Sequence, residues 1–176
     1  MVDIRERVEE DRGLLKKLQL HIPGFSGYRK REDIRAADNI LRIQLAERLG
    51  KVREGLEECR RTLVSNYETK NLEKIGNLIN KFKGVEGRVR HAEQGYSGIS
   101  ATIRIEEREL DKLYEYDYSM LTSIMDLESY IPILKSDTES GNNEKVSEGI
   151  KSITSKLNDF ENTFKSRINK ITGVEV

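Results

Sequence analysis

Few residues in this 176-residue chain have side chains that could act as nucleophiles, bases or metal ligands. Neither histidine, His21 or His91, follows a Glu at the three-residue spacing that di-iron helical bundles use for two of their ligands. The single cysteine, Cys59, excludes an internal disulfide and a cysteine-based metal cluster within one chain. No Walker loop, nucleophile elbow, GxGxxG turn or CxxC pair occurs. The sequence therefore predicts neither an enzyme nor a metal or cofactor site.

An acidic stretch near residue 110 is the strongest candidate for binding a cation. Its carboxylates include Glu107 and Asp111, whose four-residue spacing places them on one face of a helix. A hard cation needs several converging oxygen ligands, however. The cations Arg104, Arg108 and Lys112 alternate with these acids. This alternation is typical of a solvated, salt-bridged helix face, which is the interpretation we prefer.

Two segments that combine glycine with an aromatic residue are the least generic feature of the chain. They read GFSGY at 24–28 and GYSG at 95–98. Glycine permits a positive φ at a helix exit, and an aromatic ring can cover the exposed helix end. The simplest interpretation is therefore structural, namely two corners between helices. The alternative is an aromatic surface that binds a partner protein, formed by Phe25, Tyr28 and Tyr96.

Three basic residues, Arg29, Lys30 and Arg31, directly follow the first corner. Cations at the start of a helix oppose its macrodipole, which favours acids there. The cluster could serve an anionic partner, or it could pair internally with the acidic stretch, and we favour internal pairing. Three cations without a recognised DNA- or RNA-binding motif are a weak signal for nucleic acid. The candidate partner-binding residues are Phe25, Tyr28, Arg29, Lys30, Arg31 and Tyr96.

The composition favours long amphipathic helices. Charged residues make up 35% of the chain, hydrophobic residues 36% and aromatic residues only 6%, and the chain contains just two prolines. Such a chain can form narrow seams between helices but has few residues for a thick globular core. The net charge is zero, yet residues 1–100 carry +5 and residues 101–176 carry −5. This asymmetry predicts charge pairing between helices rather than binding of a polyanion.

The clearest periodicity lies between residues 110 and 134. Alternating steps of three and four keep side chains on one stripe of a helix, which must bury against partner helices. One polar residue, Asp117, interrupts the stripe. A buried carboxylate is costly unless it is paired, so we expect an Arg or Lys from a neighbouring helix to reach it. The apolar members are Leu110, Leu113, Met120, Ile124, Leu127, Ile131 and Leu134.

Weaker versions of this rhythm predict an all-α fold, an elongated antiparallel helical bundle or coiled coil of about five helices. Pro132 should bend the fourth helix or end it early, and Asn142 or Asn143 could cap the fifth. We expect a single domain, with a bundle over 1–140 and a C-terminal helix over 141–176 packed on it. The predicted helices cover 2–20, 29–66, 70–94, 100–136 and 144–171.

Two consequences follow from this arrangement. If the second and third helices are antiparallel, the start of one meets the end of the other, and both corners lie at the same end of the bundle. The unequal helix lengths leave an overhang that could become a seam between copies of the chain, so a homo-oligomer is possible.

No hydrophobic run reaches the length of a membrane span, and the charged N-terminus lacks the apolar region of a secretory signal. We therefore expect a cytoplasmic location.

The segment IPGFSGYRKRE at 22–32, with AAD at 36–38 and GYSG at 95–98, resembles an uncharacterised prokaryotic family of helical proteins. The similarity covers roughly residues 18–117, including ERELDKLYEYD at 107–117. The resemblance implies that the two corners and the start of the fourth helix belong together. It brings no established activity with it.

These observations favour a non-enzymatic helical bundle that acts as a protein–protein interaction or scaffold module through an unknown protein partner. One alternative is a coiled coil at the membrane periphery, whose basic cluster binds anionic lipid. A nucleic-acid-associated protein is a weaker alternative, because the total charge is neutral. A small-molecule site between helices stays open as well.

Overall fold

The structure, a computed structural model, describes residues 4–27, 31–92 and 107–172. Within these ranges the chain forms five helices and no strand, which confirms the predicted all-α fold. None of these helices is long and apolar enough to cross a membrane. The helices are α1 (Ile4–His21), α2 (Arg31–Ser65), α3 (Leu72–His91), α4 (Glu107–Glu139) and α5 (Asn143–Thr172).

Helices α2, α3, α4 and α5 form a closed bundle, and α1 lies outside it. α2 packs against α3 and α4, and α5 packs against α4 and α3, so each of these four helices has two neighbours in the bundle. α1 packs against α4. Short turns join α2 to α3 and α4 to α5, which makes each of these pairs antiparallel. α2 and α4 run in the same direction, because their contacts advance together along both helices, from Arg48–Glu128 to Glu58–Lys135. α3 and α5 are consequently parallel neighbours as well.

The core follows the stripes expected from the sequence. On α4 the seam residues Leu113, Met120, Ile124 and Leu127 are fully buried. Leu121 lies beside this seam and is buried too, because α4 contacts α1, α2 and α5. Burying each such side chain contributes about 1.5–3 kcal/mol to stability. On α2 the lone cysteine, Cys59, lies in the same core and is fully buried.

The turns that lie at the end of the bundle opposite the start of α2 are joined by side chains. Asn71 donates from Nδ2 to the backbone carbonyl of Asn143 at 2.9 Å, and Asn66 donates to the carbonyl of Thr138 at 3.4 Å. The side chain of Asn142 accepts from the backbone N–H of Lys145 at 3.1 Å. Of the two predicted caps of α5, Asn142 is therefore the one that the structure shows. We call this end, formed by residues 66–71 and 140–142, the turn end.

Pairs of opposite charge link the helices on the surface, which confirms the internal pairing expected from the uneven charge distribution. Arg48 on α2 donates from Nε and Nη2 to the two carboxylate oxygens of Glu128 on α4, at 2.8 and 2.7 Å. Arg53 on α2 binds Glu86 on α3 at 3.1 Å. Partly exposed pairs of this kind contribute about 0–1 kcal/mol each, so they select which helices pair more than they stabilise the fold.

Of the two effects expected of Pro132, a bend in α4 or an early end, the early end is wrong, because α4 continues past Pro132. The helix runs seven residues further, to Glu139, three residues beyond the predicted boundary. Proline removes one backbone donor and leaves the carbonyl four residues earlier without its helical partner. Pro132 lies on the exposed face of α4, so water can satisfy that carbonyl. The predicted start of this helix at residues 100–106 lies outside the described part of the chain.

Candidate functional site at the corner end

Four charged side chains are buried together at the end of the bundle where α2 begins and α3 and α5 end. Asp38 and Arg42 come from α2, Asp117 from α4 and Arg167 from α5. Their exposed fractions are 5%, 1%, 0% and 0%, respectively. We call this end the corner end and the four side chains the buried charge network.

Asp38 is the centre of this network, because each of its carboxylate oxygens binds a different guanidinium group. Oδ2 accepts from Nε of Arg42 at 2.7 Å, and Oδ1 accepts from Nη1 of Arg167 at 2.5 Å. Arg167 also donates from Nε to Oδ1 of Asp117 at 2.5 Å. The order of contacts is therefore Arg42, Asp38, Arg167, Asp117, with charges that alternate in sign and sum to zero.

Arg42 extends the network to α3 through the backbone. Its Nη1 donates to the carbonyl of Arg90 at 3.0 Å and, more weakly, to that of Val89 at 3.4 Å. Both carbonyls belong to the last turn of α3, where backbone acceptors lack a partner within the helix and the macrodipole is negative. A guanidinium group at this position satisfies the acceptors and complements the dipole. One arginine of α2 thus fixes the end of α3.

A buried charge network of this kind adds little to the free energy of folding, but it selects one arrangement of the helices. Removing charges from water costs several kcal/mol per ion, and only good geometry with further hydrogen bonds compensates for it. If one of these four helices shifted at the corner end, a buried charged group would lose a hydrogen-bond partner. The network therefore selects one relative position for α2, α3, α4 and α5 at the corner end. Asp38 has both oxygens occupied by guanidinium groups, which suits a structural role better than proton transfer.

The first corner is closely packed over this end. Gly24 and Gly27 adopt positive φ values of +82° and +85°, which L side chains rarely adopt. A Cβ at Gly27 would lie 2.8 Å from Oη of Tyr114 and 3.0 Å from Cδ1 of Leu15, so both α4 and α1 approach the backbone here. Glycine is needed at position 27 for its conformation and for its lack of a side chain.

The structure places Phe25, a predicted partner-binding residue, in the core. Its ring is only 3% exposed, and it belongs to the same apolar cluster as Leu18 and Ile22. A ring buried to this extent covers the helix end from inside and offers no surface to a partner. For Phe25, the structural interpretation of the corner is therefore the correct one, and we remove it from the contact surface.

The other predicted contact residues have no described side chains. Arg31 is the first residue of α2, but its side chain is outside the described part of the structure. Tyr28, Arg29, Lys30 and Tyr96 lie outside the described residues altogether. The predicted pairing of the basic cluster with the acidic start of α4 stays a prediction for the same reason. The contact between Arg42 and Arg90 does show that the start of α2 and the end of α3 meet, as the antiparallel arrangement requires.

Sequence reasoning predicted a cation for Asp117 but missed the other three members of the network. A signal for Arg167 was present, because a heptad step of three from Phe164 falls on position 167. A step of four from Phe164 falls on the apolar Ile168, which a hydrophobic pattern favours over Arg167, although the structure leaves Ile168 only partly buried. A second signal was the acid–base spacing of four residues between Asp38 and Arg42, beside the apolar Ala37 and Leu41.

Within the described residues, no three side chains among His, Cys, Asp and Glu come close enough to hold a metal ion. The fold and the site define an all-α bundle with two antiparallel and two parallel pairs of neighbouring helices, whose helices are fixed at the corner end by buried charges. The expectation of a wholly antiparallel bundle is therefore wrong for the pairs α2–α4 and α3–α5. Comparisons of the chain with protein-family models, curated proteins and solved structures give no match. The resemblance to a prokaryotic helical family therefore stays a prediction.

Proposed function

We propose that this chain is a cytoplasmic, non-enzymatic interaction module whose corner end binds a partner protein. One observation carries the proposal, namely that four helices are fixed to one another by buried charges at this end. Recognition residues bind best when the elements that carry them are held rigidly, because less conformational entropy is lost on binding. The proposed contact residues are Tyr28, Arg29, Lys30, Arg31 and Tyr96.

The charge of the contact surface indicates the chemistry of the partner. Arg31 opens α2, and the two residues before it are also basic. A positive cluster at a helix start is unfavourable for the isolated helix, because the macrodipole is positive there. An acidic protein segment would relieve this repulsion when it binds. Tyrosine and arginine are also the residue types that most often dominate the free energy of protein–protein contacts.

The proposal can be tested by site-specific photocross-linking in cells of the native host. A photoreactive phenylalanine analogue would replace Tyr28 in one variant and Tyr67 in the other. Tyr67 is a matched control, because it is a tyrosine at the turn end and 92% exposed. We expect a protein adduct from position 28 that is missing from position 67. Mass spectrometry then identifies the partner.

A second set of variants tests the role of the basic cluster. Reversing the charges of Arg29, Lys30 and Arg31 to Glu should abolish the adduct from position 28. A control with the same change in net charge reverses Lys51, Arg60 and Arg61, exposed cations in the middle of α2 and towards its end. An adduct that survives reversal of the cluster overturns the proposal, as does an adduct that contains only lipid or nucleic acid.

A further inference from the structure

The seam between α3 and α5 contains a groove. Of the four seams of the bundle it is the most loosely packed. Its volume is about 470 Å³, and it is open to solvent along its length. Polar contacts span the seam at its surface, for example from Nζ of Lys74 to Oγ of Ser147 at 3.0 Å. This surface lies along the side of the bundle, so it is separate from the corner end.

The groove is positively charged. Three lysines line it, Lys74 and Lys81 from α3 and Lys151 from α5, and none of the described lining residues is acidic. Lys81 contacts the side-chain amide oxygen of Asn158 and lies 3.4 Å from Glu161, a carboxylate at one end of the groove. The side chain of Lys151 makes no hydrogen bond or ion pair within the described part of the chain.

The floor and the dimensions of the groove fit a helix. Leu78 and Ile150, 3% and 4% exposed, form an apolar floor beneath the lysine side chains. Lys74 and Lys81 are seven residues apart, so they lie on one face of α3 about 10 Å from each other along its axis. Two parallel neighbouring helices offer a trough into which the side chains of a third helix can pack.

The spacing of the cations argues against a compact anion as the occupant. A phosphate group reaches one of the two α3 lysines at a time, because two helical turns separate them. The third lysine is on the opposite side of the groove, on α5. Only an elongated ligand with repeated negative charges can contact all three. A net charge of zero for the whole chain also gives little attraction for long nucleic acids.

We propose that the α3–α5 groove binds an acidic amphipathic helix of a partner protein. Acidic residues seven positions apart on that helix pair with Lys74 and Lys81, and small apolar residues between them face Leu78 and Ile150. This binding site is additional to the contact surface at the corner end and does not depend on it.

The test uses the full chain and two stapled 15-residue helical peptides. The first carries Glu at two positions seven apart, with Ala and Leu between them on the same face, and the second carries Lys at those two positions. Fluorescence anisotropy measures the Kd of each peptide. We expect the Glu peptide to bind in a salt-dependent manner and the Lys peptide not to bind.

Two charge-reversal variants locate the binding site. In K74E/K81E the Kd for the Glu peptide should rise about tenfold, because two exposed ion pairs become repulsions. In the matched control K145E/K165E, which reverses two exposed lysines of α5 outside the groove, the Kd should stay unchanged. The Lys peptide should bind K74E/K81E, which would show that this variant is folded and that charge determines the pairing.

Three results would overturn the proposal. The first is equal loss of affinity in both reversal variants, and the second is failure of the Glu peptide to bind the unmodified chain. The third is lysine-dependent binding of inorganic pyrophosphate or a single-stranded oligonucleotide in place of the peptide. None of these results bears on the proposed contact residues of the corner end, Tyr28, Arg29, Lys30, Arg31 and Tyr96, which are unchanged in every variant used here.

Discussion

The guanidinium group of Arg167 lies 2.5 Å from the carboxylate of Asp38, although 129 positions separate the two residues in the chain. The same guanidinium group binds Asp117 on α4, so a single side chain of α5 joins two acids from two other helices. Loss of the positive charge of Arg167 would therefore remove an ion-pair partner from two buried acids, Asp38 and Asp117, at once.

The first prediction concerns this point. Arg167→Met keeps the volume of the side chain but removes its charge, and we expect it to lower the free energy of unfolding by about 3–5 kcal/mol, as removal of one partner from a buried pair does. Arg48→Met is the control. Arg48 pairs with Glu128 at the partly exposed surface, so its loss should cost about 0–1 kcal/mol. Urea denaturation followed by circular dichroism measures both.

A double variant separates the pairing of charges from simple loss of packing. Asp117→Asn together with Arg167→Met leaves Arg42 and Asp38 as a balanced pair. We expect the double variant to be more stable than the sum of the two single effects implies, by about 0.5–3 kcal/mol. Additive effects would contradict the description of these side chains as one network.

The second prediction compares two glycines of the first corner. Both have a positive φ, so alanine at either position should cost about 1–2 kcal/mol through backbone strain. At Gly24 the nearest atom to a new Cβ is Cδ1 of Ile40 at 3.9 Å, which is ordinary contact. At Gly27 the new Cβ would lie 2.8 Å from Oη of Tyr114. Gly27→Ala should therefore lower the Tm more than Gly24→Ala.

A rescue variant shows whether the phenol oxygen is responsible. Tyr114→Phe removes that oxygen, so the additional loss caused by Gly27→Ala should be smaller when both changes are present. The comparison is made as a double-mutant cycle by differential scanning calorimetry. Equal Tm values for the two glycine variants would argue against the close approach of α4 to the corner.

The third prediction concerns the crossing of α2 and α4. A Cβ at Gly55 would lie 2.5 Å from Cγ2 of Ile131, a distance that requires the side chain to move. Gly87 on α3 has no atom within 4 Å of its Cβ position. Alanine is favoured over glycine in a helix by about 1 kcal/mol. We expect Gly87→Ala to gain about that amount in chemical denaturation and Gly55→Ala to lose stability.

Truncation of the opposing side chain provides the check for Gly55. In the background of Ile131→Ala, the change Gly55→Ala should become neutral or stabilising, because the conflicting methyl group is gone. A stabilising effect of Gly55→Ala in the unmodified chain would show that the two helices do not approach each other as closely as described.

The fourth prediction concerns pH and the buried thiol. Burial raises the pKa of Cys59, whose side chain is fully buried. The folded protein therefore holds the thiol proton more tightly than the unfolded chain. This contribution to stability is complete below the unfolded pKa of about 8.5 and is lost as the pH rises towards the folded value. We expect the free energy of unfolding to fall above about pH 8.5.

Other groups, such as lysines, also change protonation at high pH, so the fall in unfolding free energy has more than one cause. Cys59→Ala identifies the part of that fall that belongs to the thiol. The difference in unfolding free energy between the two proteins should shrink as the pH rises from 8 to about 10. A thiol-reactive dye should also label the folded protein far more slowly than the urea-unfolded chain. Equal slopes with pH for the two proteins would contradict the prediction.

Much of the fold was predictable because helix periodicity is a local property. The spacing of Leu113, Met120 and Leu127 depends only on residues within a few turns, and the structure buries all three. The partner of Asp117 was predictable only as a type of residue. Its identity depends on which helices are neighbours and on their axial register, and both are set by contacts between distant parts of the chain. Nothing near Asp117 in the sequence indicates position 167.

The groove was not predictable for a related reason. Lys74, Lys81 and Lys151 occur as ordinary surface lysines in two separate helices. They become one positively charged surface only because α3 and α5 lie side by side in parallel, and no pattern within either helix indicates that arrangement. The exposed position of Pro132 is a third example, since its effect on α4 depends on whether solvent can reach the carbonyl that it leaves unpaired.

The order of translation gives the contact between Asp38 and Arg167 a further meaning. The ribosome adds 129 residues from the one after Asp38 up to Arg167, which takes about 6–26 s at usual elongation rates. During that time a nascent chain can form α2, with Asp38 already bound to Arg42 one turn away. Asp117 then emerges 50 residues before the arginine that neutralises it. The arrangement of these helices is therefore not available to chains whose synthesis has not yet reached α5, and α5 completes it.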